Sequence, residues 1–434
     1  MRLRVLTIIA LLSLPAFGAL ASERFPPPDF TSHTLPTTDV PSPWPELFEY
    51  LDLAALTIGL ALASYLAIVR RSRRGLFLLT IASLAWLGFW RGGCICPIGA
   101  IQNVTLALFD SAYTLPWTVA AVFALPLVFT LFFGRTFCAA LCPLGAMQEL
   151  VALRPIRIPT WLDHTLGLLA YIYLGAGVIF AATGAGFVIC RYDPFVGFFR
   201  HSASANMLVL GGCFLVGGIF IGRPYCRYLC PYGAILGLLS KVSKWHVKIP
   251  PDQCIQCRLC EEACPYGAIQ EPTVALPTPQ RRRGRWRLAA ALTACPLLVV
   301  LGVVLGQRLE IPLSQMHSTF RLAERVYLEK SGKIEGTTDA SDAFRNTGQA
   351  DDDLYREAFS LSGKFRRVGG WFGGWVGLVI GLKLIHLVIR RRRADYQPDR
   401  AACVSCGRCF WYCPSEQTQQ KGGNSLNILD RASV

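Results

Sequence analysis

The chain has 434 residues, enough for two or three soluble domains. Its composition excludes that reading: 53% of residues are hydrophobic, 16% are charged, and the mean hydropathy is +0.39. Several runs of about 20 apolar residues are each long enough to cross a bilayer. The net charge of +15 lies largely in short basic loops, as the positive-inside rule expects, and gives no reason to invoke nucleic acid.

In chain order, residues 1–22 read as a secretory signal peptide: Arg2 and Arg4, an apolar stretch from Val5 to Leu14, then Ala19-Leu20-Ala21 before cleavage. Residues 23–47 are dense in proline and read as an extended exported linker. A membrane core of five spans is expected over 48–245, with spans at 48–69, 75–90, 117–133, 164–183 and 205–221. The basic clusters Arg70-Arg71-Ser72-Arg73-Arg74 and Arg154-Pro155-Ile156-Arg157 then share the cytoplasmic side. Residues 246–280 form the first half of a ferredoxin domain. A membrane hairpin follows over 281–397, with spans at 288–306 and 370–389 and an exported polar segment, 307–368, between them. Asp351-Asp352-Asp353 in that segment reads as a solvated face. Arg281 to Arg287 and Arg390 to Arg393 close the hairpin on the cytoplasmic side, and residues 398–434 form the second ferredoxin half. The expected fold is mainly α: a polytopic helical bundle of about seven spans with a split bacterial-type dicluster ferredoxin domain.

The chemistry lies in the cysteines. Cys-Pro-x-Gly-Ala occurs four times, beginning at Cys96, Cys142, Cys230 and Cys264. The last copy closes Cys254-x2-Cys257-x2-Cys260-x3-Cys264-Pro265, and a second such run is Cys403-x2-Cys406-x2-Cys409-x3-Cys413-Pro414. In two-cluster ferredoxins with this spacing, three cysteines hold one [4Fe–4S] cluster and the fourth, before proline, holds the other. One ligand set is then Cys254, Cys257, Cys260 and Cys413, and the other is Cys403, Cys406, Cys409 and Cys264. Zinc sites more often pair two Cys-x2-Cys units or include histidine. Two shorter motifs, Cys138-x3-Cys142-Pro143 and Cys226-x3-Cys230-Pro231, each follow a Gly-Arg pair and each end an inward span. Read as neighbours on one helical turn, their four thiols make a third ligand set. Cys94-x-Cys96-Pro97 has a shortened spacing and, with Cys190, falls on the exported side. These three could hold a further redox centre or form a disulfide. Cys213 and Cys295 lie in apolar spans without a motif and read as packing residues. There is no dinucleotide fingerprint, phosphate loop or Ser/His/Asp arrangement, and no flavin site is visible.

Paired Gly-Arg…Cys-x3-Cys-Pro motifs in a multi-span core, followed by ferredoxin runs, resemble the NosR/NapH/NirI-type membrane polyferredoxins over roughly residues 50–270 and the C-terminal run. The resemblance implies a bacterial inner-membrane protein, multi-pass, with its ferredoxin clusters cytoplasmic. It implies electron relay between the quinone pool or a cytoplasmic donor and an exported redox partner, supporting nitrous oxide or other anaerobic respiration. It places Cys138, Cys142, Cys226, Cys230 and the eight ferredoxin cysteines as functional. NosR-like members carry an exported FMN-binding domain before the spans; here a Pro-rich stretch stands there, so a separate FMN-binding protein could supply it. No catalytic residue is called for, which leaves open whether the chain acts as a quinol dehydrogenase subunit. Two other functions fit the same motifs: maturation, by reducing a metal site of an exported reductase, and redox sensing.

Overall fold

The computed structural model describes residues 45–93, 96–156, 158–184, 186–200, 204–249, 254–273, 278–315 (278–282 as backbone only), 317–389 and 393–414. The expected signal peptide, nearly all of the Pro-rich linker, Cys94, Arg157, the side chains of Arg281 and Arg282, Arg390 to Arg392 and residues 415–434 lie outside them. From Glu46 onward the chain forms one unit, and it is mainly helical.

Helix α1 (Glu46–Ser64) runs on through a π-helical turn to Val69, and α2 (Arg73–Ser83) runs on through another to Trp90. Ser72 caps α2 by accepting from the Gly75 N–H. Asp52 is buried in α1 and needs a partner there. Arg91 supplies it at 2.6 Å, and the Trp86 indole donates to the other oxygen at 3.0 Å. Next come α3 (Pro97–Phe109), α4 (Trp117–Phe133), α5 (Thr136–Ala140) and α6 (Pro143–Leu150). Then follow α7 (Thr160–Leu166), α8 (Leu169–Ala182), α9 (Val188–Arg191) and α10 (Val196–Arg200). The core closes with α11 (Ala205–Phe220), α12 (Pro224–Tyr228) and α13 (Pro231–Ser240).

The order α4–α5–α6 repeats as α11–α12–α13. In each copy an apolar helix breaks at Gly-Arg, a five-residue helix carries the first cysteine, and the second cysteine caps a helix whose first residue is proline. The two cysteines of a motif therefore do not share one helical turn, as the spacing suggested. Proline disfavours helical geometry in the residue before it, so Cys142 (ψ 114) and Cys230 (ψ 110) are extended and each starts a new helix. At the first break, Gly134 takes φ +73, open to glycine without strain.

After the core, α14 (Leu259–Glu262) and β1 (Ile269–Gln270) belong to the first long cysteine run; β2 (Gln397–Pro398) and α20 (Arg408–Tyr412) belong to the second. The strands pair antiparallel, Ile269 opposite Pro398 and Gln270 opposite Gln397, so the two runs lie side by side. Between them stand α15 (Thr278–Arg308), α16 (Glu310–Ser314), α17 (Ser318–Lys330), α18 (Asp339–Asn346) and α19 (Asp351–Val388). Helices α15 and α19 meet along Gly302, Gly306, Gly369, Gly373 and Gly377, where an added Cβ would stand within 2.4 Å of a backbone oxygen of the other helix. Small residues four apart let two membrane helices approach this closely. Trp375 of α19 donates to the Tyr171 carbonyl (2.9 Å), which seats the hairpin on α8.

The 307–368 segment is folded. Ala323, Val326, Phe344, Leu354 and Ala358 form a small apolar core there, and Thr338 with Ser341 makes a capping box. Asp351 to Asp353 form the first turn of α19, where carboxylates complement the helix dipole. Among the described residues four helices are long and apolar enough to cross a membrane: Glu46–Val69, Thr160–Ala182, Arg283–Arg308 and Asp351–Val388. The expected spans at 117–133 and 205–221 correspond to shorter apolar helices.

Candidate iron–sulfur centres

Cys138 and Cys142 of the first repeat and Cys226 and Cys230 of the second line one cavity, with Ile98, Phe137 and Tyr232 as apolar walls. The repeats are interlocked across it. Arg135 of the first lies over Gly233 of the second: a Cβ there would stand 3.3 Å from Arg135 Nη2. Arg223 of the second lies over Gly145 of the first, 3.0 Å from the same construction. A side chain at either glycine would crowd the opposing guanidinium. Around the sulfurs, Gln148 Nε2 approaches Cys226 Sγ at 3.3 Å, the Gly233 N–H approaches Cys230 Sγ at 3.2 Å, and Arg135 Nη2 stands 3.8 Å from Cys138 Sγ.

This site fits an iron–sulfur cluster. Burial pushes the Cys142 and Cys230 thiols well up, and the neighbouring cysteines add to it. Burial also raises Cys226, to about 11, against the lowering effect of Arg223. Thiols buried like these three become thiolates readily only around bound cationic metal. Arg135 lines the cavity with its buried Nε unpartnered, a donor suited to sulfide.

A second cavity is lined by Cys254, Cys257, Cys260 and Cys413, together with Ile249, Tyr396 and Pro414. The two long runs share a backbone path. Gln256 and Arg258 in the first, and Ser405 and Gly407 at the matching positions of the second, all have positive φ. Such values are uncommon outside glycine and mark a tightly wrapped loop. Cys264 lies with the second run: it packs with Cys403 and Cys406 around Tyr266, Ala268 and Val404. Among the described residues no three His, Cys, Asp or Glu side chains form a group suited to a single metal ion; the cysteines instead line two cavities and join the apolar clusters between them.

These sets adjoin. Cys264 and Cys409 pack with Cys254 and Cys260 around Ile249, Ile269 and Tyr396, and Cys138 packs with Cys264 and Cys403. Sequence reasoning placed Cys96 across the membrane from Cys142 and Cys230. The structure brings them closer: Cys96 packs against the same core as Cys142 and Cys230, and Ile98 lines their cavity. Helix α3 carries no charged residue and folds back into the core. Cys190 joins it there, with its Sγ 3.0 Å from where a Gly99 Cβ would stand and its N–H donating to Gln102 Oε1 at 3.2 Å. Cys94 is not among the described residues.

Sequence reasoning missed Glu149, whose side chain is 1% exposed. Its Oε1 accepts from Arg73 (2.6 Å) and Arg408 (2.9 Å), and its Oε2 accepts from Arg223 (3.1 Å) and Tyr266 (2.7 Å). One carboxylate thus joins α2, both repeats and both ferredoxin segments. Burial acts to raise its pKa, but Arg223, Arg408 and Arg73, with the Tyr266 hydroxyl, hold it well below the usual carboxylate range. Glu149 lies beyond the phrase that starts at Cys142 and ends at Ala146, and the matching position after Cys230 is Gly237. The basic cluster before α2 has a second use as well. Arg71 lies over the Phe410 ring at 5.2 Å and Arg74 over Trp411 at 5.3 Å, holding the C-terminal run to the core.

Comparison with known proteins also points to 4Fe–4S binding. A 4Fe–4S binding domain model matches residues 115–160 and 205–250, the two structural repeats, and a second 4Fe–4S binding domain model matches 247–270. The chain is 30% identical over 189 residues to the putative electron transport protein YccM of Escherichia coli, covering 39% of this chain and 52% of the relative. It is 32% identical over 216 residues to protein NirI of Paracoccus denitrificans (46% and 31% covered). It is 27% identical over 224 residues to the regulatory protein NosR of Pseudomonas aeruginosa (46% and 30% covered). The matches thus span from under a third to about half of these relatives' lengths. No solved structure matches. Paired cysteine motifs in an apolar helical core, adjoining ferredoxin segments and these relatives together support a likeness of this chain to the NosR/NapH/NirI-type 4Fe–4S ferredoxin membrane proteins.

Proposed function

We propose that this protein is a multi-pass inner-membrane electron conduit holding three [4Fe–4S] clusters. The ligands are Cys254, Cys257, Cys260 and Cys413 for one; Cys403, Cys406, Cys409 and Cys264 for the next; and Cys138, Cys142, Cys226 and Cys230 for the third. The observation that carries the reading is the unbroken succession of these sets, each packed against the next. Each cluster, when bound, supplies a one-electron carrier whose potential follows its surroundings. The chain's own residues hold and insulate: apolar walls exclude water from the inner cavity, and Arg135, Gln148 and the Gly233 N–H aim donors at its sulfurs.

In this reading the ferredoxin segments face the cytoplasm and the seven-span topology holds. The donor is the quinone pool or a cytoplasmic reductant, and the acceptor is an exported redox protein, FMN-bearing or otherwise, docking near Cys94, Cys96 and Cys190. The nearness of Cys96 and Cys190 to the inner cavity supports an exit there. The test is transfer across a sealed membrane. Proteoliposomes enclosing ferricyanide, reduced from outside with dithionite, should bleach the interior only when they contain the protein. Cys142→Ser should slow bleaching at least tenfold while the ferredoxin iron stays bound. Bleaching as fast with Cys142→Ser as with the native chain would refute the path.

A further inference from the structure

The crossed arginines are alike at the cavity and unlike at their far ends. Arg223 ends on Glu149 (3.1 Å), whereas Arg135 donates to the Ala401 carbonyl (2.8 Å). The difference follows from Gly237, which stands where the first repeat has Glu149; a Cβ there would come within 3.3 Å of the Ala401 oxygen. The second repeat thus gives up its carboxylate to admit the C-terminal ferredoxin segment. The first keeps it, and the anion sits on one side of a quasi-symmetric cationic core. That side adjoins the second cysteine run: Arg73, which pairs with Glu149, also donates to the Cys406 carbonyl at 3.1 Å, and Arg408 lies between Cys406 and Cys409.

We propose that Glu149 is a positioning residue that fastens both ferredoxin segments to the membrane core, and that its charge lowers the potential of the cluster held by Cys403, Cys406, Cys409 and Cys264. The inference rests on the cluster assignment above. A fixed anion near a redox centre favours the oxidised, more positive state; a cation favours the reduced one, and burial strengthens both effects. With three arginines on one carboxylate, removing the anion leaves a local field that is wholly cationic.

The experiment is a redox titration of the full-length protein in detergent, followed by EPR, for the native chain, Glu149→Gln and Arg408→Gln. Glu149→Gln keeps the side-chain volume. At equal iron content it should raise the midpoint of one cluster by at least a tenfold change in its reduced-to-oxidised ratio, about 59 mV for one electron. Arg408→Gln, whose side chain is 22% exposed, should lower the midpoint of that same cluster. Opposite signs at one cluster are what a charge role predicts and a scaffold role does not. If Glu149→Gln sheds iron, Arg408→Gln decides alone: a lowered midpoint supports the proposal, and an unchanged or raised one overturns it. Iron-loaded variants with native potentials also overturn it. Failure of the cluster assignment would show differently, as a native protein without iron.

Discussion

The hairpin α15/α19 makes a quantitative demand on the sequence. A methyl added at Gly306 would lie 2.0 Å from the Gly369 carbonyl oxygen, and one at Gly373 would lie 1.9 Å from the Gly302 oxygen. Both obstacles are backbone, so no side chain can swing aside. Restoring ordinary contact requires the helices to part by about 1.5 Å, more than the gap of about 0.5–1 Å that already forfeits a quarter to a half of each dispersion contact along the seam. Overpacking of this kind costs about 1–3 kcal/mol per site. The second substitution on the same seam should cost less than the first, because the helices are already apart. Gly306→Ala and the double variant Gly306→Ala/Gly373→Ala are the perturbations, and Gly284→Ala is the control. Gly284 lies in the same helix with nothing within 4 Å of an added Cβ, so alanine there should be neutral or stabilising by up to about 1 kcal/mol. The hairpin separates the two ferredoxin segments, so parting it should loosen the β1–β2 pairing and the cavity shared by Cys254, Cys257, Cys260 and Cys413. The assay is the temperature at which iron is released in detergent, read by the loss of visible cluster absorbance. Iron should be released at lower temperature from Gly306→Ala, at lower temperature still from the double variant, and at the native temperature from Gly284→Ala. Equal release temperatures for Gly306→Ala and Gly284→Ala would refute the close seam.

Two further outcomes follow from the sites. Cys413→Ala should abolish the EPR signal of the cluster held by Cys254, Cys257 and Cys260 and spare that of Cys403, Cys406 and Cys409; a loss confined to the latter would show local ligation within each run. His246 sits half-buried beside Gly134 with its Nδ1 unpartnered, and burial, with Arg400 and Lys248 near, pushes it down to about 4. A depressed pKa means the folded state resists the proton, so this contribution to stability is whole above pH 6.5 and is lost as pH falls towards 4. His246→Gln should therefore flatten the acid side of a stability–pH series relative to the native chain, and parallel curves would contradict it.

Much of the fold was legible because cluster ligation imposes fixed spacings. The two Cys-x2-Cys-x2-Cys-x3-Cys runs identify their own loops, and Gly-Arg…Cys-x3-Cys-Pro identifies the repeat. The structure adds what spacing cannot encode. The break between Cys138 and Cys142 follows from Pro143, readable in principle but overlooked against helical periodicity. The close seam was visible as Gly302/Gly306 and Gly369/Gly373/Gly377, residues four apart, yet nothing local says which glycine faces which. Glu149 escaped notice because a lone charge has no motif; its meaning comes from four partners drawn from distant parts of the chain. The nearness of Cys96 to the inner cavity escaped for a related reason. Charge bias assigns loops to membrane faces and cannot report how deep a short uncharged helix such as α3 folds back.

The central claim is that three cysteine sets hold three [4Fe–4S] clusters in succession. Anaerobic iron and acid-labile sulfide analysis of the purified full-length protein, with EPR after reduction, tests it most directly. The account predicts about 12 iron and 12 sulfide per chain, as three cubanes require. About eight of each would remove the cluster at Cys138, Cys142, Cys226 and Cys230, and zinc in place of iron would contradict the account altogether.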